Sequence, residues 1–244
     1  MARTDDFEAL QWPDFLKRMA VEWKPGEHWA LIVPTGGGKT TFAGGLARTR
    51  KYVLALDVKG GDRTLKQLGW ERLTKWPLSR EDRKEIEDGR PVRRLVGGTG
   101  MSPIQRLKRY DLCKQVLGSM LQEGGWTVLA TDLKILTHPK FGGLWDEVEE
   151  LTLLARERDI SVMTDMQRVS GQPRESTDQA TWMAVGYTRD QDAVGRLGEM
   201  MGRSRAGMRG AIDARRRAPP SVSAGSCRTC CCSNVFRPNC RIIF

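Results

Sequence analysis

The run Val33-Pro34-Thr35-Gly36-Gly37-Gly38-Lys39-Thr40 limits what this chain can become more than any other. Three successive glycines followed by Lys and Thr suit a turn whose backbone N–H groups converge on phosphates. Lys39 would reach the outer phosphates and the Thr40 hydroxyl a magnesium ion. The flanks separate this from an idle glycine-rich turn. Trp29-Ala30-Leu31-Ile32-Val33 is an apolar run of strand length, and Lys39 to Arg48 reads as a helix. A helix opening at the turn adds free N–H groups and the positive end of its dipole to the same anion. One departure is visible, because the first glycine of the G-x-x-x-x-G-K-[ST] pattern is Val33. Pro34 biases Val33 towards extended backbone, so Val33 prolongs the strand and the residues nearest the phosphates are unaffected. Thr35, Gly36, Gly37, Gly38, Lys39, Thr40 and Thr41 are therefore the candidate ATP-binding set, with Thr40 also a candidate Mg2+ ligand.

Around this motif, strands alternate with helices. Lys51 to Asp57 and Trp126 to Ala130 are buried-strand patterns; Ile160 to Met163 and Thr181 to Tyr187 are two more, and Val92 to Val96 hints at another. Helices are predicted over Trp12 to Met19, over Pro103 to Gln122 (stripe Ile104, Leu107, Tyr110, Cys113, Leu117, Met120), and along Leu144, Val148, Leu151 and Leu154. A last one runs from about Asp190, a candidate cap, to Met201. Gly60 to Gly89 is polar and has no readable period. The alternation implies an α/β domain with a mostly parallel central sheet flanked by helices.

Ligands of open α/β sheets bind at the carboxyl ends of the strands, so polar residues there are the next candidates. Strand Thr127-Val128-Leu129-Ala130 runs into Thr131-Asp132, and Asp132 is the candidate partner of magnesium or water, with a turn-forming role as the competing reading. Gln167, closing the run from Ile160, is a candidate sensor of the terminal phosphate. The catalytic candidates are Lys39, Asp132 and Gln167, and the metal candidates are Thr40 and Asp132.

The net charge of +10 is unevenly spread. Six units belong to Arg215, Arg216, Arg217, Arg228, Arg237 and Arg241, all beyond the last acidic residue Asp213, which leaves an ordinary +4 for residues 1–213. Five of the six cysteines, Cys227, Cys230, Cys231, Cys232 and Cys240, lie in the same end. Zinc ligation by a Cys-x-x-Cys pair, a disordered basic tail and a shifted reading frame all stay open for it, and a disordered tail is the expectation. The organisation is therefore a helical lead-in (1–25), a P-loop domain (26–213) and a basic, Cys-rich tail (214–244). No apolar run approaches the ~18 residues of a membrane-spanning helix, and no apolar stretch follows the N-terminal Arg3, so a cytoplasmic chain is the expectation.

Further runs carry a family resemblance over most of residues 26–201. Pro25-Gly26-Glu27-His28 precedes the P-loop strand, Leu56-Asp57-Val58-Lys59-Gly60 follows the second strand, Gly124-Gly125-Trp126-Thr127-Val128 leads into the acidic strand, and Tyr187-Thr188-Arg189-Asp190 precedes Arg196-Leu197. In that order, with the P-loop, they resemble the FtsK/HerA-type DNA-pumping ATPases, phage and actinobacterial members in particular. The resemblance implies a RecA-like P-loop fold with an additional strand between the P-loop strand and the acidic strand. It also implies use of ATP and Mg2+, and a homo-oligomeric ring, with six the candidate number of subunits, acting on double-stranded DNA. The family ends its acidic strand with Asp-Glu, where this chain has Thr131-Asp132-Leu133. In one register Thr131 takes the Asp position and Asp132 the Glu position; in the other Asp132 is the Asp and Leu133 replaces the Glu. Either leaves one carboxylate where two are expected, so an ATP-binding switch or scaffold with little hydrolysis is the alternative, and a small-molecule kinase a more distant one. Arg174, Arg189 and Arg196 are candidates for an arginine acting across a subunit interface. The groups Arg106, Lys108, Arg109 and Arg203, Arg205, Arg209 are candidates for DNA contact, against the ordinary reading of a solvated face.

Overall fold

The computed structural model describes residues 10–100, 102–140, 143–167, 175–188, 190–200, 202, 204–217, 234–237 and 240–243. Helix α1 (Trp12–Glu22) leads to β1 (His28–Ile32), α2 (Lys39–Ala47) and β2 (Tyr52–Leu56). The stretch without readable period holds α3 (Arg63–Lys66), β3 (Glu71–Leu73) and α4 (Arg80–Glu87), short elements that precede β4 (Val92–Val96). Then come α5 (Pro103–Glu123), β5 (Thr127–Ala130), α6 (Leu133–Thr137), α7 (Trp145–Leu154), a 3-10 turn at Ala155–Arg158 and β6 (Ser161–Met166). The chain continues through α8 (Glu175–Asp178), β7 (Ala180–Val185), α9 (Gln191–Met200), α10 (Arg205–Arg217), β8 (Asn234–Arg237) and β9 (Cys240–Ile243).

The strands form one sheet in the order β3-β4-β2-β5-β6-β1-β7-β9-β8. All pairings from β3 to β7 are parallel, so the body is an α/β fold built on a seven-stranded parallel sheet. One strand, β6, lies between β1, which carries the P-loop, and β5, which carries Asp132. Helix α10 crosses the 213/214 boundary, β9 adds in parallel to β7, and β8 pairs antiparallel with β9. The β-formers Val235, Phe236, Ile242 and Ile243 supply local strand propensity inside a composition that reads as unstructured.

Buried on both faces, the strands split their side chains by the period of two. Trp29 and Leu31 join Phe15, Met19 and Trp23 of the α1 segment and Ala43 and Leu46 of α2 on one face. On the opposite face Ala30 and Ile32 meet Tyr110, Cys113 and Leu117 of α5, Val148 and Leu151 of α7, and Val194 and Leu197 of α9. The first face is centred on Trp29, stacked on Trp182 at 5.4 Å between ring centroids and met edge-on by Trp23 at 6.0 Å.

Local signals set the helix ends. Ser102 and Gln105 close a capping box on α5 with Pro103 in its first turn, and Gly124 (φ 70°) ends it. A side chain at Gly124 would come within 2.9 Å of the Arg158 carbonyl oxygen. The Asp190 carboxylate accepts from the N–H groups of Asp192 and Ala193, so it caps α9 as expected. Three stripe residues do not join the core. Ile104 and Leu107, in the first turns of α5, and Leu154, at the end of α7, are exposed because these helix ends project past the sheet's cover. The strand expected to finish at Met163 continues to Met166, carrying Asp165 within it.

Candidate nucleotide site

The P-loop geometry follows from its glycines. Gly36 (φ 78°) and Gly38 (φ 83°) take left-handed backbone that side chains disfavour. At Gly37 the constraint is space, since a Cβ would lie 2.4 Å from Val33 Cγ1. The Gly37 N–H donates to the Pro34 carbonyl at 3.0 Å and closes the turn. The Val33 N–H donates to the Met166 carbonyl at 3.1 Å, so Val33 does extend the pairing of β1 with β6. Gly38 then serves as the N-cap of α2, without a side-chain cap, and the first N–H groups of the helix open at the turn. Thr35, Gly36 and Thr41 are exposed, while Gly37, Gly38, Lys39 and Thr40 are half-buried.

Asp132 lies just beyond β5 in left-handed backbone (φ 51°, ψ 53°) as the N-cap of α6, without a side-chain cap bond of its own. Its Oδ2 is 2.6 Å from Lys59 Nζ. Burial pulls the Lys59 ammonium down, but the hydrogen bond and charge of Asp132 outweigh it and raise Lys59 above the ordinary lysine value. The Asp132 N–H donates to Oδ1 of Asp165, which is 1% exposed. Burial pushes the Asp165 carboxyl up to about 6; the Lys39 ammonium works against this, and the Asp132 carboxylate adds to it. Lys39, Asp132, Lys59 and Asp165 therefore share one electrostatic neighbourhood at the carboxyl edge of the sheet.

Lys59 and Asp165 did not stand out in the sequence as site residues. Each had a signal: Lys59 lies in the Leu56 to Gly60 run that follows a strand, and Asp165 is a carboxylate inside an apolar strand two residues before Gln167. Gln167 itself follows β6 directly and is exposed. Arg109 corrects a reading of the sequence. It is 4% exposed and donates to the carbonyls of Val58 (3.2 Å), Gly98 (2.8 Å) and Gly100 (2.8 Å), so it ties the loops after β2 and β4 together instead of offering a charge to DNA. A side chain at Gly60 or Gly97 would strike it. Arg106, Lys108, Arg196 and Arg205 are exposed, and Arg209 donates to the Thr188 carbonyl at 2.8 Å. Arg174, Arg189, Arg203 and Cys227, Cys230, Cys231 and Cys232 lie outside the described residues.

The residues present suit ATP and magnesium. The turn offers backbone donors and Lys39 to phosphates, and a hydroxyl with carboxylates is the hard-oxygen set magnesium takes beside phosphate oxygens. Among the described residues no three His, Cys, Asp or Glu side chains form a cage, and magnesium held partly by phosphates needs none.

No protein-family profile and no curated protein matches the chain. Among solved structures it is similar to the DNA-packaging ATPase of Sulfolobus turreted icosahedral virus, at 14% identity and a TM-score of 0.47, over 78% of this chain and 88% of that one. It is also similar to the genome-packaging NTPase of Sulfolobus turreted icosahedral virus 2 in complex with ATP-gammaS, at 13% identity and a TM-score of 0.46, over 77% and 87%. No helix among the described residues is long and apolar enough to cross a membrane.

Proposed function

We propose that the chain is an ATP-binding P-loop ATPase that couples ATP hydrolysis to movement or packaging of double-stranded DNA as a homo-oligomer, in the manner of a hexameric ring. The observation that carries the ATPase is the meeting of the P-loop turn with the Asp132 carboxylate at one edge of the sheet, across the single strand β6. Gly36 to Gly38 cradle the phosphates, Lys39 bridges the outer two, and Thr35 and Thr41 flank them. Thr40 and Asp132 hold the metal position, where bound magnesium supplies charge neutralisation to the phosphates. Asp132 also orients or deprotonates the attacking water. Gln167, next on the chain after β6, reads the terminal phosphate towards the neighbouring subunit. DNA as the object of the work is supported by the resemblance in sequence, by the exposed Arg106 and Lys108 and by the composition of α10, which has five arginines and one acid.

One observation favours a second reading, an ATP-dependent switch without turnover. The Asp132 carboxylate is engaged by Lys59 at 2.6 Å. Magnesium-dependent ATP hydrolysis by the purified protein, with and without duplex DNA and with Lys39→Ala as the blank, separates the two. Turnover that rises with DNA and vanishes in the variant supports the motor. ATP binding without turnover supports the switch, and no ATP binding overturns both.

A further inference from the structure

The acidic strand lacks one of the two carboxylates that the resemblance in sequence leads one to expect there, and the sheet's register shows where a second one lies. Parallel pairing aligns Leu129 with Met163 and Ala130 with Thr164, so the next residues along, Thr131 and Asp165, come abreast. Alternation places both on one face. Leu129 and Met163, two residues back, belong to the core cluster that includes Ala43 and Leu46 of α2, so Thr131 and Asp165 turn towards the side of the P-loop helix. The Thr131 hydroxyl is committed elsewhere, donating to the Leu56 carbonyl at 2.8 Å in the strand on the far side of β5. Asp165 stands between the two strands: its Oδ1 accepts from the N–H of Asp132 just beyond β5, the Lys39 ammonium acts on its carboxyl, and it pairs abreast of Leu31 in the P-loop strand.

We infer that Asp165 supplies the carboxylate missing from the end of β5, which narrows the roles given above: the metal-side acid has moved one strand across, from the Thr131 position to β6, and Asp132 keeps the water-side position alone. The site then has two carboxylates after all, and the register with Thr131 at the Asp position is the one the fold uses. Asp165 is a positioning residue in this arrangement. It fixes the left-handed turn that presents Asp132, and it places a carboxyl in the electrostatic reach of Lys39 on the P-loop side of the site, where a cation bound with the nucleotide is favoured. This inference rests on the ATP reading above.

Asp165→Asn separates the charge from the tether, because the amide keeps an oxygen able to accept from the Asp132 N–H. The measurement is the affinity for a fluorescent ATP analogue with magnesium and with EDTA, alongside Mn2+ binding by electron paramagnetic resonance with the nucleotide present. The parent binds the analogue more tightly with metal. In Asp165→Asn the metal-free affinity stays, while Mn2+ affinity and the metal-dependent gain fall by about 10- to 100-fold, the range typical of residues that support a metal site. Adding Thr131→Asp to Asp165→Asn returns the carboxylate to β5 and recovers the metal dependence. A silent Asp165→Asn, with Mn2+ binding unchanged, overturns this inference and leaves Asp165 a structural tether, with the ATP reading intact. If the parent does not bind the analogue, or if Lys39→Ala binds it equally well, the ATP reading fails and this inference fails with it.

Discussion

The two edges of the parallel sheet use their polar groups differently. At the amino edge, Arg50 donates to Trp23 O (3.0 Å), Ser161 Oγ (2.9 Å) and Thr127 Oγ1 (3.3 Å), and its guanidinium lies 4.3 Å over the Trp23 ring. Beside it, Nδ1 of the buried His28 accepts from the Val162 N–H at 3.1 Å, and Glu27 accepts from Trp182 Nε1 at 2.7 Å. These bonds join strand starts and the α1 segment into a closed set. At the carboxyl edge the polar groups are held by backbone in left-handed conformations at Gly36, Gly38 and Asp132, with Lys39 and Lys59 partly open to solvent. The amino edge ties its polar groups to one another, and the carboxyl edge leaves Thr35, Gly36 and Lys59 exposed to solvent. Buried polar groups that are fully paired make one native state specific, whereas strained or charged groups next to solvent mark sites of function.

Substitutions that keep to one edge, or to the core between, test this division. The largest effect is expected between the edges, where Trp29→Ala removes the stacked centre of one core face and lowers stability by about 3–5 kcal/mol in urea unfolding. ATP affinity of the still-folded fraction should be unchanged, and a specific loss of binding would mean that the core and the site are not separable. Next, Lys39→Ala is expected to cost about 100- to 1,000-fold in turnover, as removal of a preorganised charge does. Its thermal midpoint should stay near the parent's; a large fall would show that the carboxyl edge also carries stability.

Acid acts on the amino edge through His28. Burial, with Arg156 nearby, lowers His28 to about 4 from 6.5. Between those values the unfolded chain binds a proton that the folded chain refuses, so the stability His28 contributes falls as pH drops through that window, by on the order of 3 kcal/mol at pH 4, while Asp165, raised by burial, works in the opposite sense over a similar range. Urea midpoints of the parent and His28→Gln, taken from pH 7 to pH 4, should converge in acid, and parallel curves would remove His28 from the account. The smallest effect is expected for Arg50→Ala, about 1–3 kcal/mol from the lost charge-assisted bonds. ATP affinity is again the control that should not move.

The motif and the alternation were legible because both are local. Glycines, a lysine and a threonine at fixed offsets between two periodic segments announce a strand–turn–helix, and Asp190 announces a helix start. The stretch from Gly60 to Gly89 was opaque because its elements are too short to show a period: β3 is three residues long, and α4, with Arg80, Glu81, Asp82, Arg83 and Lys84 in its first turns, is polar nearly all round. The roles of Arg109, Lys59 and Asp165 were hidden for a different cause. An arginine in a basic run gives no sign that two loops will close over it, and the part of Asp165 depends on lateral register between β5 and β6, which the sequence of neither strand contains. The strand end at Met163 was placed early because Asp165 interrupts the apolar run, the same feature that makes it informative.

The place of β6 between β1 and β5 also bears on how the molecule assembles. Leu31 meets Asp165 and Ile32 meets Met166 across more than a hundred residues of intervening chain, and β1 meets β7 across still more. The cost of closing such loops falls before any pairing repays it, so the sheet's centre forms late and slowly compared with the local helices. A glycine turn emerging early in synthesis therefore has neither flanking strand, and the nucleotide pocket comes into being only when the last third of the domain docks. In this architecture the candidate site is complete only once β6 has paired with both β1 and β5.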